Sequence, residues 1–149
     1  MKQTYQSFPT YRERCFSICD FQISQIRLGS DCVSFSFPDG FLYIDHGQIR
    51  KVNSGRIEIS DCSADEFNCY FFDREISANG AILTGNPISL SEIEQLLLRT
   101  GAKLEVYLEL YDFDYLYWRC TLVPNHSNGL SSRIDIEMSG QCSLTYYWE

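Results

Sequence analysis

A chain of 149 residues with 44% hydrophobic and 15% aromatic content is too apolar to be disordered and long enough to fill a proper core as one domain, 1–149. Its net charge of −8 repels phosphate backbones and argues against nucleic-acid binding. No stretch approaches the ~20 apolar residues of a membrane-spanning helix, and the N-terminus lacks a signal-like apolar segment, so the seven cysteines read as reduced thiols of a cytoplasmic protein.

Residues 1–14 are polar and aromatic and read as an irregular lead-in, with the ordered body starting at Cys15. Phe21–Leu28 alternates weakly; Cys32–Phe37 (CVSFSF) alternates strongly. Pro38-Asp39-Gly40 is a turn, and Phe41–Ile44 returns to make a hairpin. Asp45-His46-Gly47 and Asn53-Ser54-Gly55 bracket a short strand at Gln48–Val52. Arg56–Ser60 alternates again, and a polar loop holding Cys62 leads into the aromatic strand Phe67–Arg74. Asn79-Gly80 is a hairpin dipeptide, with Ala81–Thr84 as its partner strand.

The period then changes. Ser89 with Glu92 forms a capping-box pattern, Ile88 and Ile93 are spaced for a hydrophobic staple, and Gly101 follows as a stop. One helix is expected near 89–100, packing the stripe Ile93, Leu96, Leu97 and Thr100 on a sheet.

Lys103–Val123 (KLEVYLELYDFDYLYWRCTLV) is the strongest strand signal. Regular alternation puts Leu104, Val106, Leu108 and Leu110 on a buried face, and Glu105, Tyr107, Glu109 and Tyr111 on the other. Asp112, Phe113 and Asp114 form the bend. The return strand buries Leu116, Trp118, Cys120 and Leu122 and turns Tyr115, Tyr117, Arg119 and Thr121 outward. After the turn-rich stretch Pro124–Ser131, Arg133–Met138 and Cys142–Trp148 add two more strands. Eight to ten short strands at this spacing give a mainly β fold, an antiparallel barrel or sandwich with a single helix.

The chemistry-bearing signals are sparse. There is no nucleophile elbow, dinucleotide fingerprint, phosphate loop or zinc-protease motif. The two histidines, His46 and His126, both sit in turns, and Cys15 and Cys19 lack a second close pair of ligands, so no metal or other cofactor is expected. Cys62 lies between Asp61 and Asp65, whose charges oppose thiolate formation. Glu105 and Glu109 stand four residues apart on one strand, ~13 Å, too far for a glycosidase pair, although Asp135 or Glu137 would come closer if their strand lay alongside.

What remains is a face of tyrosines, carboxylates and one arginine. Charge favours the same region: residues 1–51 carry six basic and five acidic groups (+1), residues 52–149 six basic and fifteen acidic (−9). The expectation is a non-enzymatic interaction module, inhibitor- or immunity-like in size and charge. Tyr107, Tyr111, Tyr115, Tyr117 and Arg119 would anchor, and Glu105, Glu109, Asp112 and Asp114 would steer, a protein partner with a basic or mixed surface, or a second copy. The alternatives are a barrel holding a small ligand or carbohydrate, and a carboxylate hydrolase.

Overall fold

The computed structural model describes residues 1–10, 12–77, 80–125 and 132–149, and the side chains of these except 73–84. In chain order the strands are β1 (Lys2–Tyr5), β2 (Phe16–Ser17), β3 (Gln22–Ile23), β4 (Gln25–Leu28), β5 (Cys32–Phe37), β6 (Leu42–Asp45), β7 (Gln48–Lys51) and β8 (Gly55–Ser60). A 3₁₀ turn (Ala64–Glu66) precedes β9 (Phe67–Ser77) and β10 (Gly80–Ile88). Helix α1 (Leu90–Thr100) follows, then β11 (Lys103–Asp112), β12 (Tyr115–Val123), β13 (Ser132–Ser139) and β14 (Ser143–Trp148).

The fold is mainly β and sandwich-like, as alternation implied. A six-stranded antiparallel sheet, β10-β9-β13-β12-β11-β3, stacks on a five-stranded one, β1-β14-β8-β5-β4. The chain steps from one to the other between β3 and β4, at Ser24. The sheets do not close into a barrel, and the space between them is filled: Trp118, Phe35, Ile57, Ile134 and Ile136 are all fully buried. Trp118 meets Phe35 edge-on at 4.8 Å. Each such side chain contributes about 1.5–3 kcal/mol by leaving water. Of the two architectures the spacing allowed, barrel and sandwich, the structure is the sandwich-like one.

A small third sheet, β2-β6-β7, caps one end. Its inner face feeds Phe16 into an aromatic stack between Tyr146 (4.1 Å) and Tyr43 (5.5 Å). Gly40 makes the turn into β6 possible: its φ is +77°, and a Cβ there would stand 1.8 Å from the Val52 carbonyl oxygen.

Helix α1 begins as the capping pattern implied. Ser89 Oγ accepts from the Glu92 amide at 3.0 Å, and Glu92 accepts from the Ser89 amide. It ends at Gly101, φ +69°. Leu90, Ile93 and Leu97 are buried against β4, β9 and the 3₁₀ turn, while Thr100 is exposed and bonds back to Leu96. No described helix is long and apolar enough to cross a membrane.

The N-terminal segment is not wholly irregular: it opens with a strand, and residues 6–10 and 12–15 then run without regular structure. Strand β1 pairs with β14 along four residues, and Phe8 and Pro9 are buried. Alternation missed β1 because, at the sheet edge, its burial runs between exposed and half-buried. Asn79 of the hairpin dipeptide, and 126–131 with His126, lie outside the described residues; β9 and β10 do pair as that hairpin requires, Ser77 against Gly80.

Candidate functional site

The β11–β12 hairpin carries most of the expected site, and one irregularity decides which way its side chains point. Near the hairpin's open end Val106 pairs with Cys120; near its tip Leu108 pairs with Arg119. Tyr107 is the extra residue, a β-bulge. A bulge offsets the period of two, so every residue beyond it changes face. Leu104 and Val106 point into the core as expected, but Leu108 and Leu110 turn outward, opposite Arg119 and Tyr117. Glu109 and Tyr111 turn inward. The expected outward placement of Glu109 and Tyr111, and the burial of Leu108 and Leu110, are thus reversed.

Inside, Glu109 is 6% exposed and organises the N-terminal segment. Its Oε2 accepts the Ile18 amide and the Tyr111 hydroxyl, both at 3.1 Å. Arg14 Nη1 lies 2.7 Å from Oε1, off the axis of an aligned hydrogen bond. Trp118 Nε1 donates to the Tyr111 hydroxyl at 3.0 Å, which extends the network into the core. The location has a backbone cause. β11 receives the incoming chain by main-chain bonds up to Val106, which donates to Phe21 and accepts from Asp20. Past the bulge the Glu109 carboxylate serves as acceptor for the Ile18 amide. Burial raises the Glu109 carboxyl above its ordinary pKa, with Arg14 and the Ile18 amide pulling it back. The Tyr146 hydroxyl beside this cluster has no aligned partner, and burial holds it neutral.

Outside, the six-stranded sheet presents Tyr115, Tyr117 and Arg119 on β12 between β11 and β13. Register sets Tyr117 opposite Glu137 and Arg119 opposite Asp135. Asp135, itself buried, is the hub. It accepts from Tyr117 at 2.6 Å and from Arg133 at 2.9 and 2.8 Å, and Arg119 Nε is 3.8 Å away. Tyr115 donates to Glu137 at 2.9 Å. Burial and then that bond push the Tyr115 hydroxyl up to about 12; Tyr117 is raised for the same reasons, while Arg133 is raised by its bond to Asp135. Arg133 also lies over the Phe72 ring at 4.2 Å. The tyrosine hydroxyls are thus neutral at ordinary pH, and the ions are paired across β12 and β13.

Around the network lie exposed apolar groups: Tyr70 (38%), Tyr107 (44%), Leu110 (51%) and, at the hairpin tip, Phe113 (55%). Glu105 sits half-buried opposite Thr121, and Asp112 and Asp114 are exposed at the tip. Of the nine residues expected to form the face, seven remain on or beside it, and Glu109 and Tyr111 leave for the interior. Leu108 and Leu110 replace them, which no composition signal announced. Asp135 and Glu137 join it from β13, but that strand lies beside β12 and not beside β11, so neither becomes the cross-strand neighbour of Glu105 or Glu109 that the sequence allowed.

Cys69 and Cys120 are buried, and burial raises both, Cys69 to about 12. Cys15 and Cys19 flank β2. Cys62 and Cys142 are brought together with Glu66, with donor atoms all within 4.8 Å of one another. Cys62 was visible in a polar loop, but its distant partner carries no sequence signal. No protein-family model, curated protein or solved structure matches this chain.

Proposed function

We propose that the protein is a non-enzymatic interaction module that docks a partner protein on the outer face of its six-stranded sheet. The observation that carries this reading is the combination found there: exposed Tyr70, Tyr107, Leu110 and Phe113 around a hydrogen-bonded Asp135–Tyr117–Arg119–Arg133 network. Tyrosine and arginine enriched beside apolar groups, with ions already paired, is the composition of docking surfaces. The ordered network lowers the entropy lost on binding. Glu105, Asp112 and Asp114 at the rim, with the net charge of −8, favour a partner whose contacting surface is basic or mixed. An inhibitor- or immunity-like role fits this chemistry.

The test uses exposed positions that leave the fold alone. Immobilised protein captures its partner; Leu110→Asp and Tyr107→Ala each lose it, while Ile49→Asp, on the exposed β7 strand, keeps it. Unchanged capture by all three variants overturns the proposal. Light scattering at two salt concentrations identifies the case in which the partner is a second copy.

A further inference from the structure

Two chain crossovers meet at one corner of the sandwich. The chain leaves β8 of the five-stranded sheet, passes Asp61, Cys62 and the 3₁₀ turn, and enters β9 of the six-stranded sheet. It returns from β13 through Gly140 and Cys142 to β14, which pairs with β8 as Ser143 against Ser60. The two passages lie side by side, with the Cys142 thiol 3.8 Å from the Asp61 carbonyl oxygen.

The donor set at this corner is specific. Cys62 Sγ, Cys142 Sγ and a Glu66 carboxylate oxygen lie within 4.8 Å of one another, from two buried cysteines and an exposed carboxylate. A fourth soft donor is at hand: Met138 Sδ is 3.9 Å from Cys142 Sγ. Zinc–sulfur bonds of ~2.3 Å in a tetrahedron put two sulfurs ~3.8 Å apart, inside the observed spread. Two thiols with one carboxylate select a thiophilic divalent ion over magnesium or calcium, which take all-oxygen sets. Present hydrogen bonds do not compete strongly, since the thiols donate only weakly, Cys62 to the Ile59 carbonyl at 3.4 Å.

We propose that Cys62, Glu66 and Cys142 form a binding site for a zinc-class divalent cation that ties the two crossovers together, with Met138 or a water in the fourth position. Binding releases the two thiol protons to solvent and leaves two thiolates and one carboxylate on the ion. The ion would join the two sheets at a corner now held by weak thiol bonds, and would stabilise the fold by mass action.

Cobalt(II) titration of the reduced protein tests this directly. One equivalent is expected to produce thiolate-to-metal charge-transfer absorption and the strong visible bands of a tetrahedral site. Cys62→Ala/Cys142→Ala loses both, Glu66→Gln keeps the charge-transfer band with at least about tenfold weaker binding, and Cys15→Ala/Cys19→Ala changes nothing. Absence of the bands in the wild type, or their survival in Cys62→Ala/Cys142→Ala, overturns the site. X-ray absorption on the zinc-loaded wild type decides the matter without any variant: two or three sulfurs with oxygen support it, and a shell of nitrogen and oxygen alone, or of four sulfurs, refutes it.

Discussion

The β11–β12 hairpin presents the same chemical vocabulary twice, on opposite sides. Outside, Asp135 gathers Tyr117, Arg119 and Arg133 across two strands; inside, Glu109 gathers Tyr111, Arg14 and the Ile18 amide. The outer cluster is reached by water and stiffens a surface. The inner one is shut away and fastens the N-terminal segment to the sheet. Composition does not separate them; a single extra residue, Tyr107, does. Which carboxylate lies on the outer sheet face and which becomes a buried acceptor follows from strand register.

The comparison breaks most visibly on the inner side. Glu109→Ala leaves a mostly buried guanidinium, a buried amide and a tyrosine hydroxyl without their acceptor, a loss of about 3 kcal/mol. Chemical denaturation measures it, and protease cleavage within residues 10–20 is expected to accelerate. The outer counterpart costs less. Asp135→Ala strands Arg119 and Arg133, but their side chains remain 33% and 22% exposed and can turn to water. The expected loss is about 2 kcal/mol by the same measurement.

Deleting Tyr107 sharpens the account further. Removal of the bulge leaves Val106 opposite Cys120 and Leu108 opposite Arg119, so the alternation becomes regular with both faces unchanged. The variant should fold and keep the near-UV circular dichroism of Trp118 beside Tyr111. A collapsed near-UV spectrum would mean that the bulge does more than absorb one residue. The smallest effect is expected at Leu110→Ser, which changes stability by no more than about 0.5 kcal/mol because the residue is already half exposed.

Much of this was legible. Strands at Cys32–Phe37, Arg56–Ser60 and Arg133–Met138, and the capped helix, follow from period, turn chemistry and capping, which are local. The face was legible in part: Tyr115, Tyr117 and Arg119 alternate cleanly with Leu116, Trp118 and Cys120, and the structure keeps that division. The bulge was not legible. Reading the bend as Asp112-Phe113-Asp114 satisfies regular alternation along the whole hairpin. The structure instead closes the turn on Phe113-Asp114, with Asp112 opposite Tyr115, and places the surplus residue at Tyr107. The two solutions differ by where one residue is absorbed, and the partners that the inward Glu109 meets, Arg14 and Ile18, stand some ninety positions away in the sequence. The Cys62–Cys142 approach is hidden for the same reason, since it depends on two crossovers meeting rather than on any local pattern.

Titration of the Glu109 side-chain carboxyl, followed by NMR, tests the central claim most directly. Burial raises this group above the ordinary glutamate value of about 4.3, so the folded chain holds the proton more tightly than the unfolded chain does. Its contribution to stability is therefore greatest in acid and falls as pH rises through the folded pKa, the reverse of a surface carboxylate stabilised by an ion pair, and Glu109→Gln removes that slope. The account predicts a Glu109 midpoint displaced upward, with the Ile18 amide shift following the same curve. A Glu109 carboxyl that titrates near 4.3 without moving the Ile18 amide would place it on the outer face and contradict the bulge.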